Sequence, residues 1–212
     1  MLKPSHRTIA APTLLVSLLA FLGFGLPPAQ AQQKDLRDIE VGMAVTELPA
    51  AGYANFACAG EQAIAGWLGW RDCPADAKGL HAIRFDYDRS TSREGTIVAG
   101  HPAILTLFVD DTGIVAGLRI ETNPQARLFN RKKAFLLGLQ VKSRYGDEGW
   151  TCRQGEPAGG EQPLGGVFVK ESCTKTLQGR AIEVERNLFR RPDQDTKSFV
   201  DETRINIFRT KG

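Results

Sequence analysis

The chain is short of the residues on which most catalysis depends. Three histidines and four cysteines occur in 212 residues, and only His81 and His101 lie beyond the first 31 positions. Neither sits in an H-E-x-x-H frame, and no G-x-S-x-G elbow occurs, so zinc-peptidase and α/β-hydrolase chemistry have no motif to rest on. The cysteines form no C-x2-C or C-x4-C knuckle, which removes the usual zinc pattern. Asp86-x-Asp88-x-Ser90 begins like a calcium loop, but Thr91 and Ile97 stand where the Gly and Glu would be needed. No residue is put forward as catalytic or as a metal ligand, and no cofactor is expected.

A charge excess is also missing. The formal net charge of +3 includes Lys3 and Arg7. Without those two, 25 basic residues face 24 acidic ones, a net of +1. Nucleic-acid binding would need a strong basic excess, so no nucleic-acid partner is expected. Beyond the N-terminus, no apolar run approaches membrane-spanning length, and no transmembrane segment is expected in the mature chain.

The first 31 residues have a different character. Lys3, His6 and Arg7 form a positive start, residues 9–26 are apolar, Pro27-Pro28 breaks any helix, and Ala29-Gln30-Ala31 ends the stretch. This is the plan of an export signal, with Ala29 and Ala31 at the two positions a signal peptidase reads. Residues 1–31 are taken as signal peptide and 32–212 as a single secreted domain, in the periplasm or outside the cell. An uncleaved membrane anchor is the alternative. The apolar run is short for a span, and it contains Pro12.

An even cysteine count in an exported chain points to disulfides. Cys58, Cys73, Cys152 and Cys173 allow three pairings. Cys58–Cys73 and Cys152–Cys173 are preferred, because each closes a short loop within one half of the chain. Such loops stabilise by about 3 kcal/mol each in the chain-entropy model. The crossed pairings would tie the halves together.

The centre of the fold is expected at residues 104–122. Residues 104–109 are a continuous apolar run, Asp110-Asp111-Thr112-Gly113 is turn chemistry, and the return strand alternates. Ile114, Ala116, Leu118 and Ile120 fall on one face, and Val115, Gly117, Arg119 and Glu121 on the other. A type I turn with Gly113 in the left-handed region would close the hairpin with a bulge. Further strands are expected over 53–58, 81–87, 167–176, 180–190 and 199–209. Trp67 and Trp70, just before Cys73, are taken as packing groups.

One long helix is expected over 130–145, capped by Asn130 and ended by Gly146. Ala134, Leu137, Val141 and Tyr145 form its buried stripe, widened by Phe135, Leu136 and Leu139. Arg127, Arg131, Lys132 and Lys133 crowd its start, where the helix dipole disfavours positive charge. These four are the candidate contacts to an acidic partner or surface; a solvated cluster is the plainer alternative. A shorter helix is expected near Thr46–Ala51. The fold class is then α+β, an antiparallel sheet with helices on one face. The order of elements suggests two tandem helix-plus-strand halves, 38–122 and 123–212.

Ile39-Glu40-Val41-Gly42-Met43, followed by Glu47-Leu48, resembles the opening of the small lipoprotein family of the outer-membrane β-barrel assembly machine. It is also similar to the wider group of tandem helix-plus-sheet modules typified by β-lactamase inhibitor protein. The likeness spans about ten residues, an approximate count of the matched stretch. The lipid-bearing cysteine of the lipoproteins is absent, and Ala44 stands where they carry Ser or Thr. The resemblance implies a binding or assembly module.

Together these features describe an exported, disulfide-stapled binding module for an unidentified protein or cell-envelope partner, envelope-associated or inhibitor-like and without a recognised catalytic motif. The alternative is a small secreted hydrolase whose carboxylates or His101 come together only in the fold.

Overall fold

The computed structural model describes residues 34–90, 92, 94–192 and 198–210. The expected signal peptide, with Ala29 and Ala31, lies outside these residues. Every described element belongs to the unit 33–212.

Nine strands form one sheet. They are β1 Tyr53–Cys58, β2 Leu80–Tyr87, β3 Ile97–Val98, β4 His101–Asp110 and β5 Val115–Thr122, then β6 Thr151–Gln154, β7 Val169–Leu177, β8 Arg180–Phe189 and β9 Val200–Arg209. The spatial order is β1-β2-β4-β5-β9-β8-β7-β6, with β3 paired to β4, and every pairing is antiparallel. The strands before residue 123 form one block and those after it another. β5 and β9 join the blocks edge to edge.

The β4–β5 hairpin sits near the middle. Gly113 has φ of 82°, and its N–H donates to the Asp110 carbonyl at 2.8 Å. Only glycine takes that conformation without a Cβ penalty. Asp110 Oδ1 fixes the turn by accepting from the Thr112 and Ile114 N–H groups, each at 3.0 Å. The pairs Phe108↔Gly117 and Val109↔Val115 leave Ala116 as the extra residue of a bulge. The bulge resets the alternation, so Val115 is fully buried beside Leu118 and Ile120. Simple period two had placed Ile114 and Ala116 on that face instead.

One face of the sheet carries the core. Ile83 and Phe85 of β2, Leu105 and Leu107 of β4, Leu118 and Ile120 of β5, Ile205 and Ile207 of β9, and Ile182 and Val184 of β8 are buried there. Three things cover this face. The segment 35–48 lays down Ile39, Val41 and Val45, and hydrogen-bonds along the hairpin through Gly42, Met43 and Val45. A 3-10 turn, Trp67–Asp72, adds Trp67 and Trp70, both buried as packing groups. Helix α2, Phe135–Tyr145, adds Leu137, Val141 and Tyr145. It approaches the sheet closely at Gly138, where a Cβ would come 3.2 Å from Val184 Cγ1.

The protein is therefore mainly β, where an α+β balance was expected. The helix expected over 130–145 is broken into α1, Leu128–Arg131, and α2, with a turn over 132–134. The helix expected near residue 46 is a single 3-10 turn, Val45–Glu47. The stripe Ala134, Leu137, Val141 and Tyr145 is buried, but Phe135, Leu136 and Leu139 point outward and are 44%, 37% and 56% exposed. A single helix of eleven residues laid on a sheet buries one stripe only, so apolar residues on its other flank stay in solvent.

A buried ion network ties segment 35–48 to the sheet. Arg180 Nε lies 2.8 Å from Asp35 Oδ1, and its Nη2 lies 3.0 Å from Glu40 Oε1. Tyr145 donates to Asp35 Oδ1 at 2.6 Å, and the Val41 N–H to Asp35 Oδ2 at 2.7 Å. Burial, and then the Asp35 charge, push the Tyr145 phenol far above its ordinary range.

Candidate functional site

The opposite face of the sheet is not covered by any element among the described residues. Side chains there stand in three rows that run across the strands. The first is Phe108–Gly117–Phe208–Ala181–Thr176. The second is Arg84–Thr106–Arg119–Asn206–Glu183–Thr174. The third is Ile104–Glu121–Arg204–Glu185–Ser172–Arg153. They arise because alternate residues of a strand share a face, so a polar alternation repeated in register becomes a polar surface.

The first row is aromatic. The Phe108 and Phe208 rings lie 5.1 Å apart, and the Arg119 guanidinium is 5.1 Å from the Phe108 centroid. The second row is linked by hydrogen bonds through Asn206, and the third by ion pairs of Arg204. Arg119 Nε donates to Asn206 Oδ1 at 2.8 Å, and Asn206 Nδ2 to Glu183 Oε2 at 3.2 Å. Arg204 bridges Glu121 at 2.6 Å and Glu185 at 3.2 Å. The Glu121 hydrogen bond outweighs burial and raises the Arg204 guanidinium above its ordinary value. A concavity of about 1140 Å³ opens over this face, with Lys78, Phe108, Arg119, Glu183 and Phe208 among its walls.

The predicted contact residues fall elsewhere, around α1. Arg127 and Lys132 are exposed. Lys133 Nζ lies 3.9 Å above the Phe129 ring. Arg131 turns inward instead: its guanidinium donates to the Phe199 carbonyl and lies 4.8 Å from the Phe199 ring. It is a packing residue, and the four do not act as one cluster. Lys132 and Lys133 immediately precede Ala134, the N-cap of α2, whereas Arg127 and Arg131 bound the short α1.

The cysteines form two disulfides, Cys58–Cys73 and Cys152–Cys173. Cys58 and Cys73 are both buried. Cys152, on edge strand β6, is exposed, whereas its partner Cys173 is buried. Lys142 Nζ lies 3.2 Å from Cys173 Sγ and 3.5 Å from Glu171 Oε2. Cys152, Glu171 and Cys173 approach one another as metal ligands would. With both sulfurs bonded to each other and an ammonium among them, this group is not a metal site.

Neither histidine is presented to solvent as a reactive group. His81 Nδ1 meets the Cys73 carbonyl at 2.6 Å, and its Nε2 meets Asp111 at 3.2 Å. His101 is 1% exposed, with Nδ1 2.6 Å from the Pro102 carbonyl and no hydrogen-bond partner for Nε2 among the described residues. The buried carboxylate of Asp201 is pushed up by desolvation, against the pull of Arg186, which lies 2.6 Å away. Neither His101 nor Asp201 lines the concavity of the open face. Asp86, the start of the calcium-like spacing, spends its oxygens on Asn55 and Thr96, each at 2.9 Å.

No protein-family model, curated protein or solved structure matches the chain. The geometry therefore carries the functional argument alone. The open face was missed by sequence reasoning because alternation reveals that a strand has a polar side, but not whether another layer covers it.

Proposed function

We propose that this chain is an exported, disulfide-stapled binding module that takes a protein partner on the open face of its sheet. The observation that carries this reading is the uncovered face itself, with an aromatic row beside two polar rows that carry both signs of charge, one hydrogen-bonded through Asn206 and one bridged by Arg204. Such a mosaic of apolar and mixed-charge polar surface resembles a protein interface more than a site for a single-sign polymer. The tripartite N-terminus supports export, and the two disulfides fit an oxidising compartment. The opening that resembles envelope assembly and inhibitor modules favours the same class of function. We also take 38–122 and 123–212 as tandem halves, which the two blocks of strands support.

Site-specific photo-crosslinking in the cell of origin tests this. A photoreactive residue at Thr174 or Ala181, both exposed on the open face, is compared with one at Glu156 in an exposed loop. The expected result is one discrete protein adduct shared by positions 174 and 181 and absent from 156. No adduct at the two open-face positions, or the same adduct from all three, would overturn the reading.

A further inference from the structure

Seven large apolar side chains are conspicuously exposed among the described residues, and five of them lie within residues 128–139. Leu128 and Phe129 belong to α1; Phe135, Leu136 and Leu139 belong to α2. Exposure runs from 37% for Leu128 and Leu136 to 67% for Phe129. Isolated exposed apolar residues need no explanation, but a cluster on one short stretch marks a contact surface.

The charge of the same stretch has one sign. Residues 122–146 contain no Asp or Glu, and they contain Arg127, Arg131, Lys132, Lys133, Lys142 and Arg144. The rest of the mature chain has 19 basic residues (25 less these six) against 24 acidic ones, a net of −5, so the basic excess is local to this stretch. Arg131 and Lys142 are held by the protein, at Phe199 and Glu171. Arg127 and Lys132 reach solvent beside the apolar cluster, and Lys133 lies across the exposed Phe129 ring.

We infer that the α1–α2 rim docks on an anionic lipid bilayer, with Phe129, Phe135, Leu136 and Leu139 entering the interface and Lys132, Lys133 and Arg127 meeting the headgroups. Composition chooses this occupant over an acidic protein. Lysine is depleted in protein interfaces, whereas surface-lying helices combine Lys and Arg with Phe and Leu in this way. Side chains of this size reach the 5–10 Å depth, a rough range, at which such helices settle. The buried stripe of α2 faces the core side of the sheet, so its outer flank and the open face look in opposite directions. Docking would leave the open face clear of the bilayer. The inference stands apart from the open-face reading, and either can fail alone.

The test is flotation of the chain from Gln32 onward, which carries every described element, with vesicles of phosphatidylethanolamine and phosphatidylglycerol. Phosphatidylcholine vesicles are the control. Binding is expected to the anionic vesicles only, and to weaken as salt screens the lysines. Phe129→Ser, Phe135→Ser and Leu139→Ser combined should lower the apparent affinity at least about tenfold, since each removes apolar contact with the interface. Lys132→Gln and Lys133→Gln should each cost about fivefold. All five side chains lie outside the core, and an unchanged circular dichroism spectrum confirms the fold of each variant. Absence of anionic-vesicle binding, equal binding to neutral vesicles, or full binding by the triple variant would overturn the inference. An acidic protein captured by the rim while vesicles are ignored would overturn it too. Loss of flotation with the Thr174 crosslink retained would leave the open-face reading intact.

Discussion

Gly117 lies directly across from Phe208, and the Phe208 ring occupies the space a side chain at 117 would need. An ideal Cβ on Gly117 would come 2.3 Å from Phe208 Cδ1 and 2.9 Å from its Cγ. The backbone of Gly117 is not in the left-handed region, so its role is steric: it is the floor on which the aromatic row rests. Gly117→Ala should swing the Phe208 ring away, separate it from Phe108, and cost about 1–3 kcal/mol. Denaturant midpoints measure the cost. A variant within about 0.5 kcal/mol of the parent, the usual range for a surface substitution, would show that the ring moves freely.

The Arg180 network gives a second expectation. Arg180→Met takes the guanidinium from the buried Asp35 carboxylate and leaves Glu40 to Lys34, 3.2 Å away, which should cost about 3–5 kcal/mol. Tyr145→Phe removes one hydrogen bond to the same Asp35 and should cost about 1–2 kcal/mol. The ranking of the two in urea unfolding is the check. Equal losses would mean that Arg180 contributes packing alone.

The two disulfides should differ in reactivity. Cys152 is an exposed residue on an edge strand, open to an attacking thiolate, and the departing Cys173 thiolate has the Lys142 ammonium 3.2 Å away. Both sulfurs of the Cys58–Cys73 bridge belong to buried residues. Partial reduction of the native protein with a dithiol, followed by alkylation and peptide mapping, should label Cys152 and Cys173 first. Lys142→Gln should slow that step, and simultaneous labelling of all four cysteines would contradict the expectation.

Asp110 makes part of the stability dependent on acid. Burial acts to raise its carboxyl, but hydrogen bonds from Thr112 and Ile114 and the Arg209 charge outweigh it, so the net shift is downward from 3.8. A folded-state value below the unfolded one contributes stability that is complete above about pH 5 and is lost as pH falls through the folded value. Thermal melts between pH 6 and pH 2.5 should therefore show a smaller acid-side loss for Asp110→Asn than for the parent, the window following from the carboxylate range. An identical acid-side slope would remove Asp110 from the account.

Export predicts a mature mass beginning at Gln32. Intact mass spectrometry of the protein recovered from the cell envelope or medium measures it, and a cytosolic species retaining Met1 would contradict cleavage after Ala31.

Much of the sheet was legible because its signals are local. The Asp110–Gly113 turn and the alternation of residues 81–87 and 203–207 depend only on neighbours in sequence. Gly113 takes the left-handed turn conformation expected of it, but the extra residue at Ala116 was not foreseen, and it brings Val115 to the same face as Leu118 and Ile120. The long helix failed for a different reason. Apolar residues on two flanks look like a widened stripe, and only the packing of α2 on the sheet shows that one flank remains outside. Arg131 was grouped with its neighbours by proximity in sequence, but Phe199, far along the chain, decides where it points. Asp35 and Arg180 are 145 residues apart, and no pattern in either neighbourhood announces the pair.

The position of β9 has a consequence for timing. It follows every other strand in the chain, yet it lies between β5 and β8 at the heart of the sheet. Strands 1 to 5 can pair as they emerge from a ribosome or a translocon, and so can strands 6 to 8. The two sets have no common edge until the segment 200–209 arrives. A chain threaded through a membrane from its N-terminus would thus stay divided, and easier to pull, until its passage was almost finished.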